Sequence, residues 1–159
     1  MNIEMKKVSI AHPIRMIYTV QILYKCGKDM AKKYGLHHWD NSYIKTFAIV
    51  LLGIFGRGNT YLVYKDVPVA TFRVNQTQDE FHFGKLATHP EYSSKGIGSW
   101  CMDYIERMAK EQCCSAVTLE VYDKSNHAKD FYTHRGYVLC GEVKTRKYTE
   151  FKMRKDLNI

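Results

Sequence analysis

The chain has no apolar run long enough to cross a membrane. Its longest, Phe47–Phe55, has nine residues including Gly53, whereas a spanning helix takes about 20. The opening Met-Asn-Ile-Glu-Met-Lys-Lys leads into neither a long apolar region nor a cleavage site, so no secretory leader is expected. Proline is scarce, with three in 159 residues. Disorder is excluded on composition, because 12 Tyr and 7 Phe are more aromatic residues than a disordered chain carries. Five cysteines, Cys26, Cys101, Cys113, Cys114 and Cys140, form no CxxC pair and are odd in number. That argues against a disulfide framework and against a zinc site, and no metal is expected. Free thiols in a reducing cytoplasm are the expectation, with Cys113–Cys114 ending a helix.

Acidic residues are also few, 16 against 24 Lys and Arg, for a formal charge of +8. The excess favours an anionic partner of some kind: nucleic acid, an acidic surface or a phosphorylated cofactor. The length fits one domain over 1–159, and no repeat, linker or low-complexity segment divides it.

Residues 3–10 read as a first strand. Pro13 suits a helix start, the apolar spacing continues to Tyr34, and Gly35 stops it. After the loop 36–40, a second helix begins at an Asn41 or Ser42 cap and runs to Phe55. The period then changes. Thr60–Tyr64 and Val67–Val74 read as a hairpin, followed by a strand Phe81–Thr88. A helix from Ser99 to Gln112, a strand Ala116–Val121, a short helix Ser125–His134 and strands Tyr137–Cys140 and Arg146–Met153 complete the pattern.

The unit that carries chemistry is strand, glycine loop, helix, strand. Lys95-Gly96-Ile97-Gly98-Ser99 opens a helix. Glycine lets backbone approach a ligand closely, and the first helical N–H groups lack internal partners and sit at the positive end of the dipole. A pyrophosphate fits there, with Lys95 adding charge. The P-loop string GxxxxGK[ST] is absent. A GxGxxG dinucleotide loop fails at Cys101, and although Glu120 lies where a ribose ligand would be, too little chain follows for the rest of a doubly wound sheet. A tight turn without a ligand is the remaining plain reading.

The stretch Leu86-Ala87-Thr88-His89-Pro90-Glu91-Tyr92-Ser93-Ser94-Lys95-Gly96-Ile97-Gly98-Ser99 resembles the acetyl-CoA motif of the GNAT N-acetyltransferase superfamily. Downstream, Ser125-Asn126-His127-Ala128-Lys129-Asp130-Phe131-Tyr132-Thr133-His134-Arg135-Gly136-Tyr137 resembles that family's second motif. Together they cover about residues 81–140. The resemblance implies an α/β (α+β) fold: a central, mostly antiparallel mixed sheet of six to seven strands with about four helices. It also implies a V-shaped acetyl-CoA cleft between the strand ending near Thr88 and the one starting near Ala116. The chain departs from the family at Ser93, where Arg or Gln is usual, so phosphate binding leans on Lys95 and the backbone amides. The motif asparagine falls on Ser125 by count, with Asn126 one residue late; either is a pantetheine contact.

The resemblance further implies direct attack of an amine on the thioester of acetyl-CoA, without metal. The donor contacts it implies are Leu86, Ala87, Thr88, Ser93, Ser94, Lys95, Gly96, Ile97, Gly98, Ser99, Ser125, Asn126, Ala128 and Tyr132. Backbone groups of Leu86 and Thr88 pair with the pantetheine arm, and an N–H near Leu86 polarises the carbonyl. Tyr132 is the candidate general acid toward the thiolate, since a phenol is protonated at neutral pH. For the base, the family's carboxylate position falls on His82, whose ordinary pKa suits the task, with Glu80 as competitor. Strand alternation puts His82, Gly84 and Leu86 on one face, with space for substrate at Gly84. Trp39 is a candidate lid over the acceptor. A catalytically weak acetyl-CoA sensor and a basic nucleic-acid module are the alternatives; the latter has no RNP, KH or helix-turn-helix string in its favour. The expected partner is a small-molecule amine rather than a protein amine, with no membrane, in a cytoplasmic monomer or homodimer.

Overall fold

The computed structural model describes residues 2–158. The strands are β1 (Glu4–Val8), β2 (Asn59–Lys65), β3 (Val67–Thr77), β4 (Glu80–Thr88), β5 (Ala116–Tyr122), β6 (Val138–Lys144) and β7 (Thr149–Asp156). The helices are α1 (Pro13–Tyr34), α2 (Tyr43–Phe55), α3 (Ile97–Glu111) and α4 (Asn126–His134). Local chemistry sets the helix ends. Pro13 occupies the first turn of α1, and Gly35 closes it in the left-handed conformation, its N–H donating to Ala31 O. The Ser42 side chain caps α2 by accepting from the Lys45 N–H at 3.1 Å.

The seven strands form one sheet in the order β1-β2-β3-β4-β5-β7-β6. Every neighbouring pair is antiparallel except β4 and β5, which run parallel with α3 in their crossover. Alternation divides the burial between two faces. On one, Phe72, Phe81, Phe83, Val117 and Leu119 pack with Ile97, Cys101, Met102 and Ile105 of α3, and Phe131 and Tyr132 of α4 join them. On the other, Leu62 and Ala87 pack with Val20, Ile22 and Leu23 of α1 and Val50 of α2. β3 and β6 run further than the sequence pattern indicates, because their polar ends are held by pairing rather than by burial, whereas β1 is shorter than expected and β7 starts three residues later.

Two irregularities position the site. The parallel pairing of β4 with β5 stops after Phe83 and Leu119, so the remainders of the two strands diverge. Beside this split, the β3–β4 register shifts between Thr71 and Arg73, and Lys85 has φ of 52°. This bulge resets the alternation. Leu86 packs toward α3 with Phe83, so the expectation that His82, Gly84 and Leu86 share one face is corrected: His82 and Gly84 share it, and Leu86 crosses to the other.

Candidate active site

The split between β4 and β5 opens into a cavity of about 580 Å³. Its β4 wall runs from Phe83 to Thr88, its far wall is Glu120–Tyr122, and α4 supplies Ala128, Phe131 and Tyr132, with Ser125 just before it. The backbone of the β4 wall faces the opening. The His89 N–H donates to Val69 O, so alternation turns Ala87 toward β3 and turns the backbone groups of Leu86 and Thr88 toward the cleft.

The loop at the mouth is shaped by its own bonds. The Ser93 hydroxyl donates to Pro90 O at 2.8 Å, closing the short turn Pro90–Tyr92 instead of reaching outward as a longer side chain would. Ser94 and Gly96 both have positive φ, 59° and 80°. At Gly96 a Cβ would meet nothing within 4 Å, so the conformation, not crowding, calls for glycine there. Trp100 is bonded back to Gly96 O, which leaves the N–H groups of Ile97, Gly98 and Ser99 without intrahelical partners at the cavity edge. Such an array is suited to an anion. Lys95 does not line the cavity; its ammonium sits over the Tyr92 ring, 5.6 Å from the centroid.

Ser125 is buried and lines the cavity, whereas Asn126 is exposed and does not. Tyr132 is held edge-on by Phe83 (5.8 Å), Phe131 (5.3 Å) and Tyr137 (6.0 Å). Burial pushes its phenol well above the ordinary range, and the nearby Cys101 and Cys26 thiols add to the rise. It is therefore a neutral O–H donor at physiological pH.

A second cavity of about 350 Å³ lies on the α1–α2 face of the sheet and shares Trp39, Phe83, Gly84, Lys85, Glu120 and Glu150 with the first. The two meet over Gly84, where a Cβ would find open space. His82 lines the second cavity, with Nδ1 2.9 Å from Thr118 Oγ1. Burial is the main cause holding its pKa below the usual value, opposed by Glu120. Glu80 lines neither cavity; it is ion-paired with Arg154 and with Lys152. Trp39 borders both cavities, and the Lys85 ammonium lies 5.2 Å from its ring centroid.

Several residues of this second cavity escaped the sequence reading: Arg57, Arg73, Lys85, Tyr148 and Glu150, with Glu120 considered only as a ribose ligand. One signal was present for Glu120. Val117, Leu119 and Val121 are core, so alternation assigns Thr118, Glu120 and Tyr122 to the face of His82. Glu150 arrives from β7 beside Tyr122, a pairing no local pattern announces. Burial and the Glu120 charge raise the Glu150 carboxyl, while Lys85 opposes them.

The profile of the acetyltransferase (GNAT) family matches residues 24–137. No curated protein sequence matches the chain. Among solved structures, the chain is similar to the PaiA N-acetyltransferase of Thermoplasma acidophilum in complex with coenzyme A, at 18% identity and a TM-score of 0.77 over 99% of this chain and 100% of that one. It is similar to the ribosomal-protein-S18-alanine N-acetyltransferase of Escherichia coli, at 14% identity and a TM-score of 0.74 over 99% and 96%. Ard1 from Thermoplasma volcanium aligns over 100% of both chains at 15% identity and a TM-score of 0.68. At these identities the likeness is one of fold.

Proposed function

This chain belongs to the GNAT acetyltransferase family, and from that premise we propose that it transfers an acetyl group from acetyl-CoA to a primary amine by direct attack. The observation that carries the reading is the parted β4–β5 pair, whose free β4 backbone leads to the unpaired amides at the start of α3. A thioester with a pyrophosphate tail asks for that combination: strand-like amide pairing for the pantetheine and helix N-terminal donors for the phosphates. Acetyl-CoA supplies the electrophilic carbonyl and a thiolate leaving group.

In this reading Leu86 and Thr88 orient the donor through their backbone, and the amides from Lys95 to Ser99 hold its anionic end. Ser125 takes the pantetheine contact in preference to Asn126, since it faces the cavity. Tyr132 gives its phenolic proton to the departing thiolate. The second cavity takes the acceptor, and His82, which borders it and is neutral at physiological pH, takes the proton from the attacking amine, directly or through water. Glu80 is disfavoured as base by its two cationic partners.

Calorimetry with acetyl-CoA, followed by detection of free thiol over a panel of amines, tests the reading. Binding with amine-dependent thiol release is expected; absence of acetyl-CoA binding overturns it, and binding without release on any amine supports a sensor instead. The pH profile tests the base. With the His82 pKa lowered, the neutral base persists below pH 6.5, so the acid limb of kcat/KM has its midpoint below that value. His82→Gln should abolish this limb; an unchanged limb assigns the base elsewhere.

A further inference from the structure

The acceptor cavity contains charged groups that the protein itself leaves unmatched. Arg57, Arg73, Lys85, Glu120 and Glu150 all line it. Among the described residues, none of the ion pairs involves any of these five. Elsewhere Glu80, Glu106 and Asp40 each find a cationic partner. Arg57, Lys85 and Glu120 are exposed and Arg73 and Glu150 half-buried, so water solvates them in the free protein, and a ligand of complementary charge can engage them as a set.

Their order across the sheet is the informative feature. On β3, Arg73 is in register with Gly84 of β4. The β4–β5 register places His82 opposite Thr118, and two residues on along each parallel strand it brings Gly84 level with Glu120 where the strands part. The row therefore reads cation, empty position, anion. The empty position is real, because a Cβ on Gly84 would have no neighbour within 4 Å. Arg73 is held at one end of the row. One of its guanidinium nitrogens donates to Arg57 O, and the group lies against Gly53 of α2 and Gly56 just past its end; a Cβ at Gly56 would come within 2.9 Å of it. At the other end Glu150 joins Glu120 and borders the donor cavity as well.

We propose that the acceptor is a small amine that also carries a carboxylate or phosphate, lying across Gly84 with its amine toward Glu120 and Glu150 and its anionic group toward Arg73 and Arg57. This rests on the acetyl-transfer reading and deepens it. The carboxylates attract the ammonium form to the end of the cavity that meets the donor cleft, beside the base His82. The guanidinium supplies a planar fork matched to either anion. A polyamine would satisfy the carboxylates but meet Arg57, Arg73 and Lys85 with like charge, and an uncharged amine would leave them unmatched.

The test is a comparison of matched acceptors with the wild-type enzyme and acetyl-CoA. Free amino acids and O-phosphoethanolamine are set against the corresponding amino acid amides, ethanolamine, spermidine and a short peptide amide. Each anionic amine should exceed its neutral counterpart in kcat/KM by roughly 10-fold or more, since the neutral one forgoes the charge-assisted contacts with Arg73 and Arg57. Arg73→Met and Arg57→Gln should each shrink that ratio, mainly through KM of the anionic amines. Preference for spermidine, a neutral amine or the peptide amine overturns the inference, as does an equal loss on all amines in both variants. If acetyl-CoA is bound and amines are acetylated without regard to the anionic group, this inference fails alone. If acetyl-CoA is not bound, the acetyl-transfer reading fails first and this one with it.

Discussion

The wall of the cleft that runs from β4 through the loop into α3 is made of backbone, and the cavity that adjoins it across Gly84 is lined with side chains. Along the first, the groups aimed at the opening are the amides of Leu86, Thr88 and Ile97–Ser99, and the side chains either pack inward, like Ile97, or bond locally, like Ser93. In the second, Arg73, His82, Glu120 and Glu150 come from four different strands. A backbone site is specified by conformation and tolerates many side chains, so it suits the part of a ligand that never changes. A side-chain site is rewritten by single substitutions, so it suits the part that defines one enzyme's acceptor.

The sharpest way to separate the two walls is at their junction, Tyr132. The aromatic cluster that holds it includes Phe83, which borders both cavities, and Phe preserves the contacts with Phe83, Phe131 and Tyr137. Tyr132→Phe should lower kcat about 10²-fold, the usual scale for a lost general acid, while acetyl-CoA affinity measured by calorimetry changes less than about 3-fold. Equal losses in kcat and affinity would make Tyr132 a packing residue of the donor wall.

That contrast also explains what could be read beforehand. The donor wall lies within one contiguous stretch, so the glycine at Gly96, the turn residues before it and the apolar period of α3 are local signals that survive in a linear string. The helices and most strands follow from the same local periods, and the mixed sheet was expected from the family resemblance those motifs carry. The bulge at Lys85 was not legible, because a non-glycine residue at positive φ has no sequence mark and arises from the register of β3 against β4. Nor was the charge pattern of the acceptor cavity. Arg73 and Glu150 are 77 positions apart by numbering, and only strand pairing brings them to one cavity. The long surplus of Lys and Arg disguised the carboxylate pair, which becomes visible once β5 and β7 are laid side by side.

The acceptor side can also be disturbed from beneath without touching a charge. Gly27 of α1 faces the loop that carries Trp39, and a Cβ there would lie 2.1 Å from Trp39 O. The obstacle is backbone, so the loop must move as a unit. Gly27→Ala should cost about 2 kcal/mol of stability, in the range of an overpacked contact. It should also raise the acceptor KM severalfold, with acetyl-CoA affinity nearly unchanged. Denaturant unfolding and steady-state kinetics measure the two. A loss confined to acetyl-CoA binding would mean that the Trp39 loop serves the donor wall.

The smallest expected effect concerns His38, which lines the first cavity beside Trp39. Its ring stacks on Tyr122 at 4.4 Å, and its Nδ1 is buried without a hydrogen-bond partner. Burial, with help from the Lys85 and His127 charges, brings its pKa down from 6.5 to about 4. The folded state therefore resists protonation over an interval in which the unfolded chain accepts it. As pH falls from 6.5 toward 4 the unfolded state gains a proton that the folded state does not, and stability drops. Allowing for its partial exposure, the loss attributable to His38 is about 1 kcal/mol at pH 5.5. His38→Phe keeps the stacked ring, removes the unpartnered nitrogen and removes the titration. The variant should lose less stability than wild type between pH 7 and pH 5.5 by that amount, in paired denaturant titrations. His82, His89 and His127 also have lowered pKa values, but they are common to both proteins and cancel in the difference. Parallel stability–pH curves would show that His38 protonates as freely in the folded protein as outside it. The loop bearing Trp39 would then be open to water at the cavity that His38 lines.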